Sequence, residues 1–139
     1  VIANASNEIV ETLKKFGCYI GPIFQITDDI IDLTKEKRGE RCSDIKEGKR
    51  SLLVVYTVSQ CTNDDREKMF EILDKPRYKT TNKDIEYVVK LFEKYNAIDF
   101  AKKKAEELFE HSKLIIKDLP NKLRENLNIA VEFMFERKI

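Results

Sequence analysis

The stretch from Gly21 to Leu33, GPIFQITDDIIDL, holds the residues best suited to chemistry. On a helix, Gln25, Asp28, Asp29 and Asp32 fall at i, i+3, i+4 and i+7, so one polar stripe carries three carboxylates. Around the stripe stand Ile23, Phe24, Ile26, Ile30, Ile31 and Leu33, a pattern that predicts a largely buried helix. No lysine or arginine occurs from Cys18 to Leu33, and uncompensated carboxylates are costly to bury. Something positive must face them, either side chains from elsewhere in the fold or bound metal ions. Oxygen ligands alone on a rigid helix favour a hard cation, magnesium before zinc. The alternative is a solvated acidic face. Such a face would carry lysine or glutamate beside it, where this one has isoleucine and phenylalanine.

The next segment carries the opposite sign. Between Lys35 and Arg50 lie Lys35, Lys37, Arg38, Arg41, Lys46, Lys49 and Arg50, set against Glu36, Glu40, Asp44 and Glu47 and punctuated by Gly39 and Gly48. Read alone, this is an ordinary solvated loop. Beside an anionic stripe, it is what a magnesium-bridged diphosphate requires: carboxylates hold the metal, and metal, lysine and arginine neutralise the phosphate oxygens.

The elements that must position these residues read as one helix after another. The first runs to about Lys15, where Gly17 predicts an end or a kink. Thr34 to Arg50 is a charged loop. Ser51 to Cys61 is an apolar segment expected to be a buried helix, although Leu53, Val54, Val55 and Val58 fit a strand as well on local propensity. Thr62 with Asp65, and again Thr81 with Asp84, spell capping boxes that open two further helices, the first closed by Lys75 and Pro76. Ile98, Ala101, Ala105, Leu108, Ser112, Ile115 and Leu119 predict a long helix with a core-facing seam. Pro120 breaks it, and Leu123, Leu127, Ala130, Val131 and Met134 define the last helix. The fold class is all-α, and residues 1–139 are expected to form one domain or part of one.

Composition narrows the function. With 139 residues, 37% of them charged, and a net charge of +1, the chain has no global attraction to nucleic acid or to an anionic membrane. No stretch approaches the roughly 18 apolar residues of a membrane span, and the N-terminus carries no signal-peptide pattern; the chain reads as one entered mid-domain. Cys18, Cys42 and Cys61 are odd in number and widely spaced, as expected of reduced thiols in a cytoplasmic protein. His111, the one histidine, is expected at the surface, as is the run Lys102 to Lys104. The aromatics Phe92, Tyr95, Phe100, Phe109, Phe133 and Phe135 read as core or interface.

Phe24, Gln25, Asp28, Asp29 and Asp32, followed by Ser43, Asp44, Ile45, Glu47, Gly48 and Lys49, resemble the second aspartate-rich motif and the downstream Ser-Asp-Ile-x-Glu-Gly-Lys segment of the trans-isoprenyl diphosphate synthases. The resemblance continues from Asp84 to Leu119, is similar there to geranylgeranyl and farnesyl diphosphate synthases, and reaches the basic tail Glu136, Arg137 and Lys138.

It implies an all-α bundle around a deep cavity, with an aspartate-rich motif on each facing wall. Magnesium ions, three per site in the family and replaceable by manganese, draw diphosphate from an allylic substrate. The double bond of isopentenyl diphosphate then attacks the allylic cation. By the same resemblance Asp28 ligates the metal; Asp29, Asp32 and Asp44 act through bound water; Gln25 contacts diphosphate or orients that network; Lys49 touches the allylic diphosphate. Phe24 lines the cavity or simply packs in the core. A homodimer formed through the parent protein is implied too.

Two departures qualify the match. Glu40 stands where many members have lysine, leaving Lys37 or Arg41 to substitute. The first aspartate-rich motif with its arginine pair, and the residues that bind isopentenyl diphosphate, would lie before Val1, so this chain alone is expected to be inactive. Two other readings remain open, a non-catalytic regulatory subunit of a heteromeric synthase and a helical binding module.

Overall fold

The computed structural model describes residues 5–34 and 41–135. Lys37, Glu40 and the tail residues Glu136, Arg137 and Lys138 lie outside them. Among the described residues every regular element is helical, as expected: α1 (Asn7–Thr34), α2 (Ser43–Lys46), α3 (Leu52–Gln60), α4 (Asn63–Leu73), a 3-10 turn (Arg77–Lys79), α5 (Asn82–Lys94), α6 (Ala97–Ile115) and α7 (Asn121–Phe135). They group into two compact units, one made of residues up to Thr27 with those from Lys103 onward, the other of Asp28–Lys102.

The first helix does not stop near Lys15. It continues through Gly17, Gly21 and Pro22 as part of α1. A glycine inside a helix costs about 1 kcal/mol, and Pro22 removes one hydrogen bond to the preceding turn. Burial outweighs these local losses, because Phe16, Ile23, Ile26, Ile30 and Leu33 are all buried along the helix, each contributing roughly 1.5–3 kcal/mol.

In the first unit Phe16, Ile23, Ile116, Leu119 and Val131 form the core. The seam of α6 differs from expectation. Ala97 and Ile116 are wholly buried, whereas Ile98, Leu108 and Ile115 are half-buried. The helix ends at Ile115, and the turn that follows, closed by Leu119 N–H on the Ile116 carbonyl at 3.1 Å, swings Ile116 inward. On α7 only Val131 is buried, and Ala130 faces solvent. His111 is exposed, as predicted, and stacks on Tyr19 with ring centroids 6.0 Å apart.

In the second unit α3 is helical, with Leu53, Val54 and Thr57 buried. Met69, Ile72 and Leu73 of α4 and Val88, Leu91 and Phe92 of α5 are buried as well, and α5 contacts both α3 and α4. Thr81 and Asp84 form the complete capping box predicted for α5. At α4 only half of the box forms. The Thr62 hydroxyl accepts from Asp65 N–H, but the Asp65 carboxylate turns to α5, where it accepts from Lys94 Nζ (2.7 Å) and from the Tyr87 and Tyr95 hydroxyls. Asp84 takes Lys75 Nζ at 2.8 Å. These donors hold Asp65 and Asp84 at about 2, well below the usual carboxylate range. Asn96, with φ 54°, makes the left-handed turn between α5 and α6, a conformation asparagine tolerates.

Candidate functional site

The second unit receives the last turns of α1, which carry Asp28, Asp29 and Asp32. The stripe is graded rather than uniform: Asp28 is half-buried, while Asp29 is 4% and Asp32 1% exposed. In the first unit, Gln25 is exposed and Phe24 is 45% exposed, so Phe24 is not packed in the core there. Apolar neighbours at Ile26, Ile30 and Leu33 pull one flank of the stripe inward.

Asp32 is spent on the backbone of the following loop. Its Oδ1 accepts from the Ser43 hydroxyl at 2.7 Å, its Oδ2 from Asp44 N–H at 3.0 Å, and its main-chain carbonyl from Cys42 N–H at 2.9 Å. Cys42 takes a left-handed conformation, φ 56°, directly before α2. Burial, with the Asp32 charge close by, pushes the Cys42 thiol up from its ordinary value. Cys18, Cys42 and Cys61 are all free thiols.

From this turn the loop carries Asp44 and Lys49 to Asp29. Asp29, Asp44 and Lys49 line one cavity of about 10 Å³ with Ser51, Val54 and Phe92, roughly the room of one water molecule. Lys49 Nζ donates to Asp44 Oδ1, and Lys49 N–H donates to the Asp44 carbonyl at 3.0 Å. The hydrogen bond to Asp44, with the charges of Asp44, Glu47 and, least, Asp29, raises the Lys49 amine above its usual value. Asp44 Oδ2 is buried and has no hydrogen-bond partner among the described residues.

The far side of the loop is fixed against α4. Gly48 has φ +66°, and a Cβ placed there would stand 2.2 Å from the Leu73 carbonyl oxygen. Arg50 donates to the Gly48 carbonyl at 2.6 Å and pairs with Asp74, and Glu47 pairs with Arg77. These contacts went unread in the sequence; the glycine immediately before the lysine was the one signal available. Arg41 is placed elsewhere, donating to the Leu33 carbonyl at 3.0 Å and lining a second cleft with Cys42, Lys46 and α5. The structure thus brings Asp29, Asp44 and Lys49 together, with Asp32 behind them, and leaves Arg41 apart.

Among the described residues no group of three or more His, Cys, Asp or Glu side chains is placed to hold a metal ion by itself. Magnesium does not need one, since it keeps several waters and takes one or two carboxylates plus substrate phosphates. Carboxylate-only donors and the unpartnered Asp44 oxygen fit a magnesium ion whose coordination a phosphate group completes.

Residues 1–92 match the model of the family described as polyprenyl synthetase. The chain is 30% identical to a geranylgeranyl diphosphate synthase of Saccharolobus solfataricus over 99% of its own length and 42% of the relative's. Its structure resembles that of a geranylgeranyl pyrophosphate synthetase from Pyrococcus horikoshii, with a TM-score of 0.81 and 28% identity over 96% of this chain and 41% of that one. A geranylgeranyl pyrophosphate synthase from Corynebacterium glutamicum, solved with isoprenyl diphosphate and magnesium, shares the fold at a TM-score of 0.83 and 22% identity, covering 99% of this chain and 40% of that one. The chain therefore spans about two-fifths of the length of the proteins it matches.

Proposed function

We propose, since this chain belongs to the polyprenyl synthetase family, that its parent protein condenses an allylic diphosphate with isopentenyl diphosphate into a longer trans-polyprenyl diphosphate, releasing diphosphate. In this reading the chain supplies one wall of the site, and residues 1–139 are the C-terminal portion of a single all-α domain. The observation that carries it is the convergence of Asp29, Asp44 and Lys49 on one cavity at the end of α1, in a family whose relatives are named for prenyl diphosphate synthesis.

Magnesium, held by Asp28 and Asp29 with the free oxygen of Asp44 in reach through water, would draw off negative charge from the departing diphosphate. Lys49 supplies a cation to the same phosphate oxygens, and Asp44 keeps that amine protonated and aimed. The allylic carbon–oxygen bond breaks with its electron pair leaving on diphosphate. A carbon–carbon bond to isopentenyl diphosphate forms, and a proton is lost from carbon. Charge grows on the leaving group, so preorganised positive charge there lowers the barrier. Phe24 and Gln25, both exposed, remain the substrate contacts that the family resemblance implies. With Arg41 on the Leu33 carbonyl, Lys37, which lies outside the described residues, is the remaining candidate for a further phosphate contact. Manganese would replace magnesium, and the parent would be a cytoplasmic homodimer, as the family resemblance implies; among the described residues no helix is long and apolar enough to cross a membrane.

The direct experiment titrates the chain with methylenediphosphonate by calorimetry, with and without magnesium. Magnesium-dependent binding supports the reading, and binding indifferent to magnesium, or none, rejects it. Incubated with allylic and isopentenyl diphosphates, the chain alone should yield no elongated product, and any elongated prenyl alcohol after phosphatase treatment would refute the half-site reading.

A further inference from the structure

Of the three stripe aspartates, Asp32 is the most deeply buried, at 1% exposure. A carboxylate so placed must have its oxygens satisfied, and both are, by groups of one turn: the Ser43 hydroxyl on Oδ1 and the Asp44 N–H on Oδ2. A third bond, from Cys42 N–H to the Asp32 carbonyl, closes the same turn. Three consecutive residues of the loop are thereby tied to one residue of α1.

The tie offsets a local cost. Cys42 is a non-glycine residue at φ 56°, a conformation that persists only where its surroundings over-determine it. From that turn the chain runs directly to Asp44, whose Oδ1 receives Lys49. Movement of the turn would therefore displace the Asp44 carboxylate and, with it, the lysine amine.

We infer that Asp32 is a positioning residue that pins the Cys42–Asp44 turn to α1 and so sets Asp44 and Lys49 against Asp29, taking no part itself in holding metal, directly or through water. The inference rests on the proposed diphosphate site for one of its two readouts; the other is independent of any ligand.

Asparagine at position 32 separates the two roles. It has the shape of aspartate, its amide oxygen accepts from Asp44 N–H, and its amide nitrogen donates to Ser43 Oγ, a hydroxyl that accepts as readily as it donates. The tether survives and the charge is lost. Alanine loses both.

The first readout is hydrogen exchange of the Asp44 amide in the ligand-free chain. Asp32→Asn should retain its protection, and Asp32→Ala should lose it by about tenfold or more, as expected for a charge-assisted hydrogen bond, with Ile30 in α1 unchanged. The second is magnesium-dependent binding of methylenediphosphonate, which Asp32→Asn should weaken by no more than about threefold and Asp32→Ala by about tenfold. Should Asp32→Ala not fold, Ser43→Ala cuts the tether from its other end and should move both readouts in the same direction by a smaller factor. Equal damage by Asp32→Asn and Asp32→Ala in either readout would overturn the inference, as would unchanged Asp44 protection in Asp32→Ala or, failing its folding, in Ser43→Ala. Absence of diphosphonate binding by the unmodified chain would reject the diphosphate reading and leave the tether to be decided by exchange alone.

Discussion

Replacing Gly48 by alanine tests how firmly the Lys49 loop is fixed. Two costs add. The residue sits at φ +66°, where a side chain costs roughly 1–2 kcal/mol. The new Cβ would also meet the Leu73 carbonyl oxygen at 2.2 Å. That oxygen is backbone at the end of α4 and cannot rotate aside, so either the loop or the helix end must shift, at about 1–3 kcal/mol by analogy with overpacked cores. The total of about 2–5 kcal/mol is a large fraction of the roughly 5–15 kcal/mol that holds an ordinary domain together. Thermal unfolding followed by circular dichroism should show a fall of roughly 6 °C or more. Gly17→Ala and Gly21→Ala are internal controls of opposite sign. Both positions lie within α1 with nothing within 4 Å of an added Cβ, so each should stabilise by about 1 kcal/mol through helix propensity. A Gly48→Ala protein as stable as the original, or one indistinguishable from the two α1 variants, would refute the close approach.

Two further outcomes follow from the same geometry. Lys49→Met keeps the length of the side chain and removes its charge; magnesium-dependent diphosphonate binding measured by calorimetry should weaken by about tenfold or more, the loss expected of a charge-assisted contact, with little change in melting temperature because the pair with Asp44 is partly exposed. Asp65 and Asp84 are held at about 2 in the folded chain, below their unfolded value of about 3.9, so their contribution is fully present above pH of about 4 and lost as pH falls through about 2. The urea midpoint should drop across that window, and Asp65→Asn should flatten part of the drop; an unchanged pH profile in that variant would count against the Lys94–Tyr95–Asp65 contact.

Much of the fold was legible because capping and periodicity are local signals. The Thr81–Asp84 box opens α5 as written, whereas α6 stops at Ile115, short of the break expected at Pro120. Where the reading missed, a longer-range partner decided. The Asp65 carboxylate was spent on α5 rather than on its own cap, a choice no four-residue window contains. Gly17 looked like a stop, yet the buried flank of α1 carries the helix past it. The α6 seam slipped at Ile116 because the helix stops one residue short of it.

The candidate site divides along the same line. Three aspartates at helical spacing, with a basic loop behind them, suggested a metal and a phosphate and named the residues proposed for them. Their different surroundings were not readable from spacing, because the stripe treats all three as equivalent. What distinguishes Asp32 is its surroundings: Asp29 and Asp32 are both buried while Asp28 is half-buried, and Asp32 accepts from Ser43 and from Asp44 N–H on the returning turn. A carboxylate that loses its water must gain donors, and the nearest donors belong to a segment eleven and twelve residues further along the chain. With both oxygens of Asp32 engaged by Ser43 and Asp44, the tether proposed above follows from the partners this carboxylate holds, which spacing in the sequence could not show.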